Sequence, residues 1–134
     1  MNGRMSEQDK NRWQQVNRPG EGQAVCFDLC ATMRLSDGQS VDVPEQGFLI
    51  CFQGKLRAWR NHCPHAGSPL DWIPGQFFSD DGEQLICHTH GARFEPLSGA
   101  CIAGPCPRGL FALQFQDQGD TVLVPVNVEI TTEL

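Results

Sequence analysis

RNHCPHAGSPLDW, running from Arg60 to Trp72, and LICHTHGARFEPLSG, from Leu85 to Gly99, decide how the rest of this sequence is read. Each stretch holds one cysteine and one histidine almost side by side: Cys63 with His65, and Cys87 with His90. Both pairs fall in glycine- and proline-rich segments at the ends of β-like runs. Binding residues are commonly placed there, on loops held by a rigid scaffold.

Working outward, QGFLICF runs into the turn QGK and out through LRAWR, which delivers the chain to the first pair. A second hairpin, QFF-SDDGEQ-LIC, ends at Cys87. Upstream, AVCFDLCATM and GQSVDVP read as two further strands. Downstream, LFALQFQ, the turn DQGD and TVLVPV read as a third hairpin, with Phe111, Leu113 and Phe115 alternating. Many short strands with regular turns predict an all-β sandwich or barrel. Residues 1–22 are polar and read as an N-terminal arm with one short helix from about Ser6 to Val16. Ser6 would cap that helix, and NRPGEG would break the chain after it. Residues 23–134 then form one domain, a size that suits 134 residues in all.

The formal net charge of −6 disfavours nucleic acid and anionic membrane surfaces as partners. No apolar run approaches bilayer length, and MNGRMSEQDKNRW has no signal-peptide core, so the expected location is cytoplasmic. An odd count of seven cysteines argues against a complete disulfide framework. Cys26, Cys30 and Cys51 read as small buried hydrophobes in strands. Cys101 and Cys106 share that reading less firmly, because their segment can approach the metal-ligand pairs.

Two thiolates and two imidazoles suit tetrahedral zinc. They suit equally a 2Fe–2S cluster in which two histidines replace two cysteines on one iron. In the cluster each loop gives its thiolate to one iron and its imidazole to the other, so both loops span the group, which a single zinc ion does not require. Ligand spacing alone leaves zinc and cluster open.

The surrounding residues add to the spacing. Cys63-Pro64-His65-Ala66-Gly67-Ser68-Pro69-Leu70 and Cys87-His88-Thr89-His90-Gly91-Ala92-Arg93-Phe94, followed by Gly99 and by Gly104-Pro105, resemble the Rieske 2Fe–2S family over about residues 60–107. That family's pattern is C-x-H-x-G-x-x-L, then C-x-x-H-G-x-x-F, a later glycine and a proline loop. The resemblance implies a Rieske fold: an antiparallel β sandwich with a cluster-binding subdomain of two loops. It further implies one 2Fe–2S cluster, with Cys63 and Cys87 on one iron and His65 and His90 on the other. Gly67 and Gly91 would let backbone amides turn toward the cluster sulfurs, Gly104 and Pro105 would form the proline loop, and Leu70 and Phe94 would pack. His62 and His88 fall outside the motif and read as exposed neighbours. Arg93 reads as a solvated charge, and Trp59 and Trp72 as packing residues.

High-potential members of the family tie the two loops by a disulfide at the positions of Ser68 and Thr89, and neither is cysteine here. They also donate hydroxyl hydrogen bonds from a serine, at the position of Ala92, and from a tyrosine, of which this chain has none. Fewer donors imply a lower potential. With no histidine after His90 to form a mononuclear iron site, the resemblance implies a small ferredoxin-like electron carrier without catalytic activity of its own. It would pass one electron from a reductase to an oxygenase or similar enzyme. DWIPGQFFSDDGEQ lengthens the spacer beyond a compact ferredoxin and, like the arm, is a candidate docking element. The competing readings are a zinc-stabilised interaction module on the same four ligands, and a redox-sensing subunit of a larger enzyme.

Overall fold

A computed structural model describes residues 12–64, 69–71, 73–89, 91–104 and 108–131. Every regular element in it is a strand: β1 (Trp13–Asn17), β2 (Ala24–Arg34), β3 (Ser40–Phe52), β4 (Lys55–Arg60), β5 (Leu85–Ile86), β6 (Arg93–Phe94), β7 (Cys101–Ala103), β8 (Ala112–Leu113), β9 (Gln116–Asp117), β10 (Thr121–Pro125) and β11 (Asn127–Thr131). They make a five-stranded sheet in the order β11-β2-β3-β4-β8 and two three-stranded sheets, β1-β10-β9 and β5-β6-β7. The all-β expectation holds. Among the described residues no helix is long and apolar enough to cross a membrane.

β3 is the strand on which the layers are built. Alternate side chains of a strand point to opposite faces. Phe48, Ile50 and Phe52 therefore enter one core with Trp59, Leu70, Phe77, Leu85, Phe94, Cys63 and Cys87. Leu49 and Cys51 enter a second core with Phe27, Leu29, Leu56, Ala58, Leu113, Val122 and Val124. Burial on both faces explains why GFLICF is continuously apolar rather than alternating. The first core carries the small β5-β6-β7 sheet, and the second unites the larger sheet with β1-β10-β9.

Three local expectations are corrected. GQSVDVP and QGFLICF are not two strands but one, β3, running through Pro44. Proline lacks the ladder N–H and is tolerated at a sheet edge. Within β3, β4 reaches only Gly47–Phe52, so at Pro44 the strand has β2 on one side and, among the described residues, no strand on the other. LFALQFQ likewise divides, with Ala112–Leu113 joining β4 while Gln116–Asp117 pair with β10. Lastly, the helix expected from Ser6 to Val16 is overturned over Trp13–Val16. These residues lie in β1, whose partners Pro125 to Thr121 supply the ladder bonds that WQQVN cannot find alone. Arg12 forms a turn, and the remainder of that expected helix lies outside the described residues.

After β1 the chain is fastened by Glu21. Its carboxylate accepts hydrogen bonds from the amides of Gln53 (2.6 Å) and Gly54 (2.8 Å) in the β3–β4 turn. Those two bonds, Gly54 foremost, hold the carboxyl below the usual carboxylate range, against a smaller opposing effect of desolvation. A carboxylate lowered in the folded state stabilises the fold above its unfolded value, and that contribution is lost as pH falls through the folded value. Glu21→Gln should therefore lower the urea midpoint at neutral pH. The gap from wild type should narrow as the pH descends below about 4.3, the ordinary glutamate value. A gap independent of pH would show that the charge is not what fastens the turn.

Candidate metal centre

Cys63 is the third residue after β4 and Cys87 follows β5 directly, so two separate hairpins deliver the two thiols to one place. Both are free and buried, with relative exposures of 1% and 0%. They sit in the apolar core formed around Phe48 and Ile50. Burial pushes the Cys87 thiol up. The amide of Thr89, aimed at its sulfur, offsets part of this, and the neighbouring Cys63 thiol pushes it further up. Two adjoining thiols in an apolar site cannot both ionise cheaply unless a cation compensates them. As a donor set they fit a thiolate-ligated metal group.

The second loop is a tight turn. Cys87 N–H donates to Ala92 O (2.8 Å) and Gly91 N–H donates to Cys87 O (2.8 Å). Gly91 has φ +76°, the left-handed region that glycine enters without strain, and a Cβ there would meet no described atom within 4 Å. Its left-handed backbone makes the turn, and its own amide donates to the Cys87 carbonyl. A close approach occurs at Gly104, where a Cβ would lie 2.8 Å from Ala92 Cα. The segment entering the proline loop thus rests directly on the Cys87 turn.

The first loop is closed by a residue the motif does not contain. Asn61 is 5% exposed. Its Oδ1 accepts from Leu70 N–H (2.7 Å), its Nδ2 donates to Asp71 Oδ1 (2.7 Å), and its backbone N–H donates to Gln46 O (2.8 Å). Leu70 in turn accepts from His88 N–H (3.1 Å), so one backbone hydrogen bond ties the first loop to the second. The signal was present in the sequence as an asparagine two residues before Cys63. Nothing in its spacing marked it, because its partners lie nine and ten residues away.

His65 and His90, with Gly67, Ser68, Trp72, Pro105 and Cys106, lie outside the described residues. Among the described residues no group of three or more His, Cys, Asp or Glu side chains is placed to hold a metal ion. Leu70 and Phe94 are fully buried against the two cysteines, as packing residues should be. Trp59 is buried and donates its indole N–H to Pro96 O (3.2 Å). His62 is not an exposed neighbour but half-buried, edge-on to Phe111 at 5.9 Å between ring centroids, and its pKa is lowered mainly by desolvation and next by Arg60. His88 is also half-buried, and Arg93 bonds Gln84 Oε1 (3.2 Å). Cys51 is buried and Cys26 and Cys30 partly so. Cys101 departs from the hydrophobe reading, since it is disulfide-bonded. The long spacer is no free extension: Phe77 is fully buried and stacks on Phe48 at 3.9 Å between centroids.

The sequence matches the profile of the Rieske [2Fe-2S] domain over residues 23–132. Among solved structures, the ferredoxin of carbazole 1,9a-dioxygenase from Nocardioides aromaticivorans IC177 aligns with TM-score 0.55 and 23% identity, covering 84% of this chain and 93% of that one. A chain from the complex of reduced oxygenase and oxidised ferredoxin in carbazole 1,9a-dioxygenase aligns with TM-score 0.60 and 16% identity, over 90% and 98% of the two chains. A chain from a fluorene-bound oxygenase–ferredoxin complex of the same system aligns with TM-score 0.57 and 16% identity, covering 92% of this chain and 31% of that one. At these identities the structural likeness establishes the fold. No curated protein gives a significant sequence match.

Asn61→Ala should strand the buried Leu70 amide and release Asp71, costing about 1–3 kcal/mol. Urea unfolding would measure this, and an unchanged midpoint would mean that the loop closes without the asparagine.

Proposed function

Because the chain belongs to the Rieske [2Fe-2S] domain family and so carries one [2Fe–2S] cluster, we propose that it is a one-electron carrier of low potential. In this reading Cys63 and Cys87 bind one iron and His65 and His90 the other. The observation that supports the ligand set is the meeting of the two cysteines, buried and free, Cys63 in the segment after β4 and Cys87 in the β5–β6 turn.

The cluster, when bound, supplies the capacity to take up and release one electron. The chain's own residues hold it and set its surroundings. Leu70, Phe94 and Phe77 wall the cysteine side with apolar surface and keep water from the thiolates. The Thr89 amide, aimed at the Cys87 sulfur, stabilises negative charge there. Ala92 is fully buried at the position where a serine would donate a hydroxyl hydrogen bond, and the chain has no tyrosine to donate another. Fewer donors to the sulfurs leave the reduced, more negative state less stabilised, which favours a potential toward the low end of about −150 to +300 mV.

The structural neighbours named as a ferredoxin and as oxygenase–ferredoxin complexes support an oxygenase as the electron acceptor of this chain, and a reductase as its donor completes the proposal. The electron-carrying domain is then residues 23–134, and β1, which precedes it, closes the β1-β10-β9 sheet.

Replacing Cys63 or Cys87 by serine, or His65 or His90 by alanine, should each abolish the visible absorbance of the purified protein, while His62→Ala and His88→Ala should retain it. Loss of colour in either of the last two would reassign the nitrogen ligands. Ala92→Ser should raise the midpoint potential by roughly 20–60 mV, the equivalent of one net hydrogen bond of about 0.5–1.5 kcal/mol, in an optical redox titration. A fall in potential would contradict the low-donor explanation.

A further inference from the structure

Beside the first cysteine loop lies an open groove of ≈ 880 Å³, among whose lining residues are Arg12, Trp13, Arg60, His62, Arg108 and Phe111. His62 immediately precedes Cys63, so the groove borders the residue that leads into the first cysteine loop. Phe111 is its organising centre. The Arg60 guanidinium lies 4.7 Å and the Arg108 guanidinium 4.5 Å from its ring centroid, and His62 meets its edge.

The charges in the groove do not cancel. Arg60 is spent on Glu45 through two bonds of 2.9 and 2.8 Å. Glu129, the other acidic lining residue, pairs with Arg34 at 3.7 Å. Arg12 and Arg108 have no carboxylate partner among the described residues, and both are exposed. Stacking on Phe111 holds Arg108 in place, which reduces the ordering cost of using it in recognition. A protein of net charge −6 therefore presents a cationic, partly apolar concavity next to its redox centre. At an ionic strength of roughly 0.1 M the screening length is about 10 Å, so an approaching group at this face responds to the local arginines more than to the distant net charge.

We propose that this groove is the docking surface for an electron-transfer partner that presents an acidic patch. Electrostatic complementarity of this kind acts mainly on encounter rate and orientation. The inference rests on the electron-carrier reading above, since it is the carrier's partner that the groove receives.

The test uses the holo-protein and two inorganic anions. Hexacyanocobaltate(III), which is redox-inert here, should shift amide NMR signals of residues 12–13 and 108–113, and those shifts should vanish in Arg12→Glu/Arg108→Glu. Ferricyanide, a trivalent anion that takes one electron from the reduced protein and becomes ferrocyanide, should oxidise the double variant about tenfold more slowly than wild type at low salt. Oxidation by the cationic hexaamminecobalt(III) should not slow, and the midpoint potential should stay unchanged. Arg108→Gln should give an intermediate rate, which guards against a charge reversal that merely unfolds the groove. Shifts located elsewhere, or ferricyanide rates indifferent to both variants, would overturn the proposal while leaving a reducible electron carrier intact. A protein that accepts no electron would instead overturn the carrier reading, and the hexacyanocobaltate map would still decide the groove.

Discussion

The two-sided burial of β3 is the constraint on which the rest of this structure depends. A strand whose neighbouring residues Phe48, Leu49 and Ile50 are all fully buried must have a hydrophobic layer on each face. One layer is ordinary sheet packing against Phe27, Leu113 and Val122. The other is assembled from pieces too short to be stable alone: the two-residue strands β5 and β6, the three-residue β7, and the loops that carry Cys63 and Cys87. Such pieces acquire fixed positions because Phe77 stacks on Phe48 and Leu70, Leu85 and Phe94 fill the same face. The site is rigid because its floor is the middle strand of the main sheet.

That floor also determines the chemistry available. Thiols buried among aliphatic and aromatic side chains are poor acids, so they serve as ligands only to a group whose positive charge replaces water. The loops lack the family's high-potential disulfide positions and are tied instead through Leu70, which accepts from His88 and donates to Asn61. Hydrogen bonds of this kind position the described parts of both loops. The low potential proposed for the carrier would follow from few donors to the cluster sulfurs.

The cluster motif was legible in the sequence because its residues are typed by chemistry and spaced by local covalent geometry. A cysteine, a histidine and a glycine in a short turn keep that relation in any context. The all-β architecture was legible for a similar reason, since strand periodicity and turn residues are local. What could not be read depends on remote partners. WQQVN has no strong preference of its own and became β1 because β10 offers a ladder. By its chemistry Pro44 ends a strand, and only the short reach of β4 makes it compatible with one. Asn61 and His62 directly precede Cys63, a proposed ligand, yet their burial is set by Asp71, Leu70 and Phe111, none of which is adjacent in the chain.

The most direct test of the central claim is chemical analysis, with reductive titration, of protein isolated without oxygen. One cluster per chain predicts two irons, two acid-labile sulfides and the uptake of a single electron accompanied by bleaching of the visible bands. A colourless protein with no labile sulfide and one zinc ion per chain would contradict it.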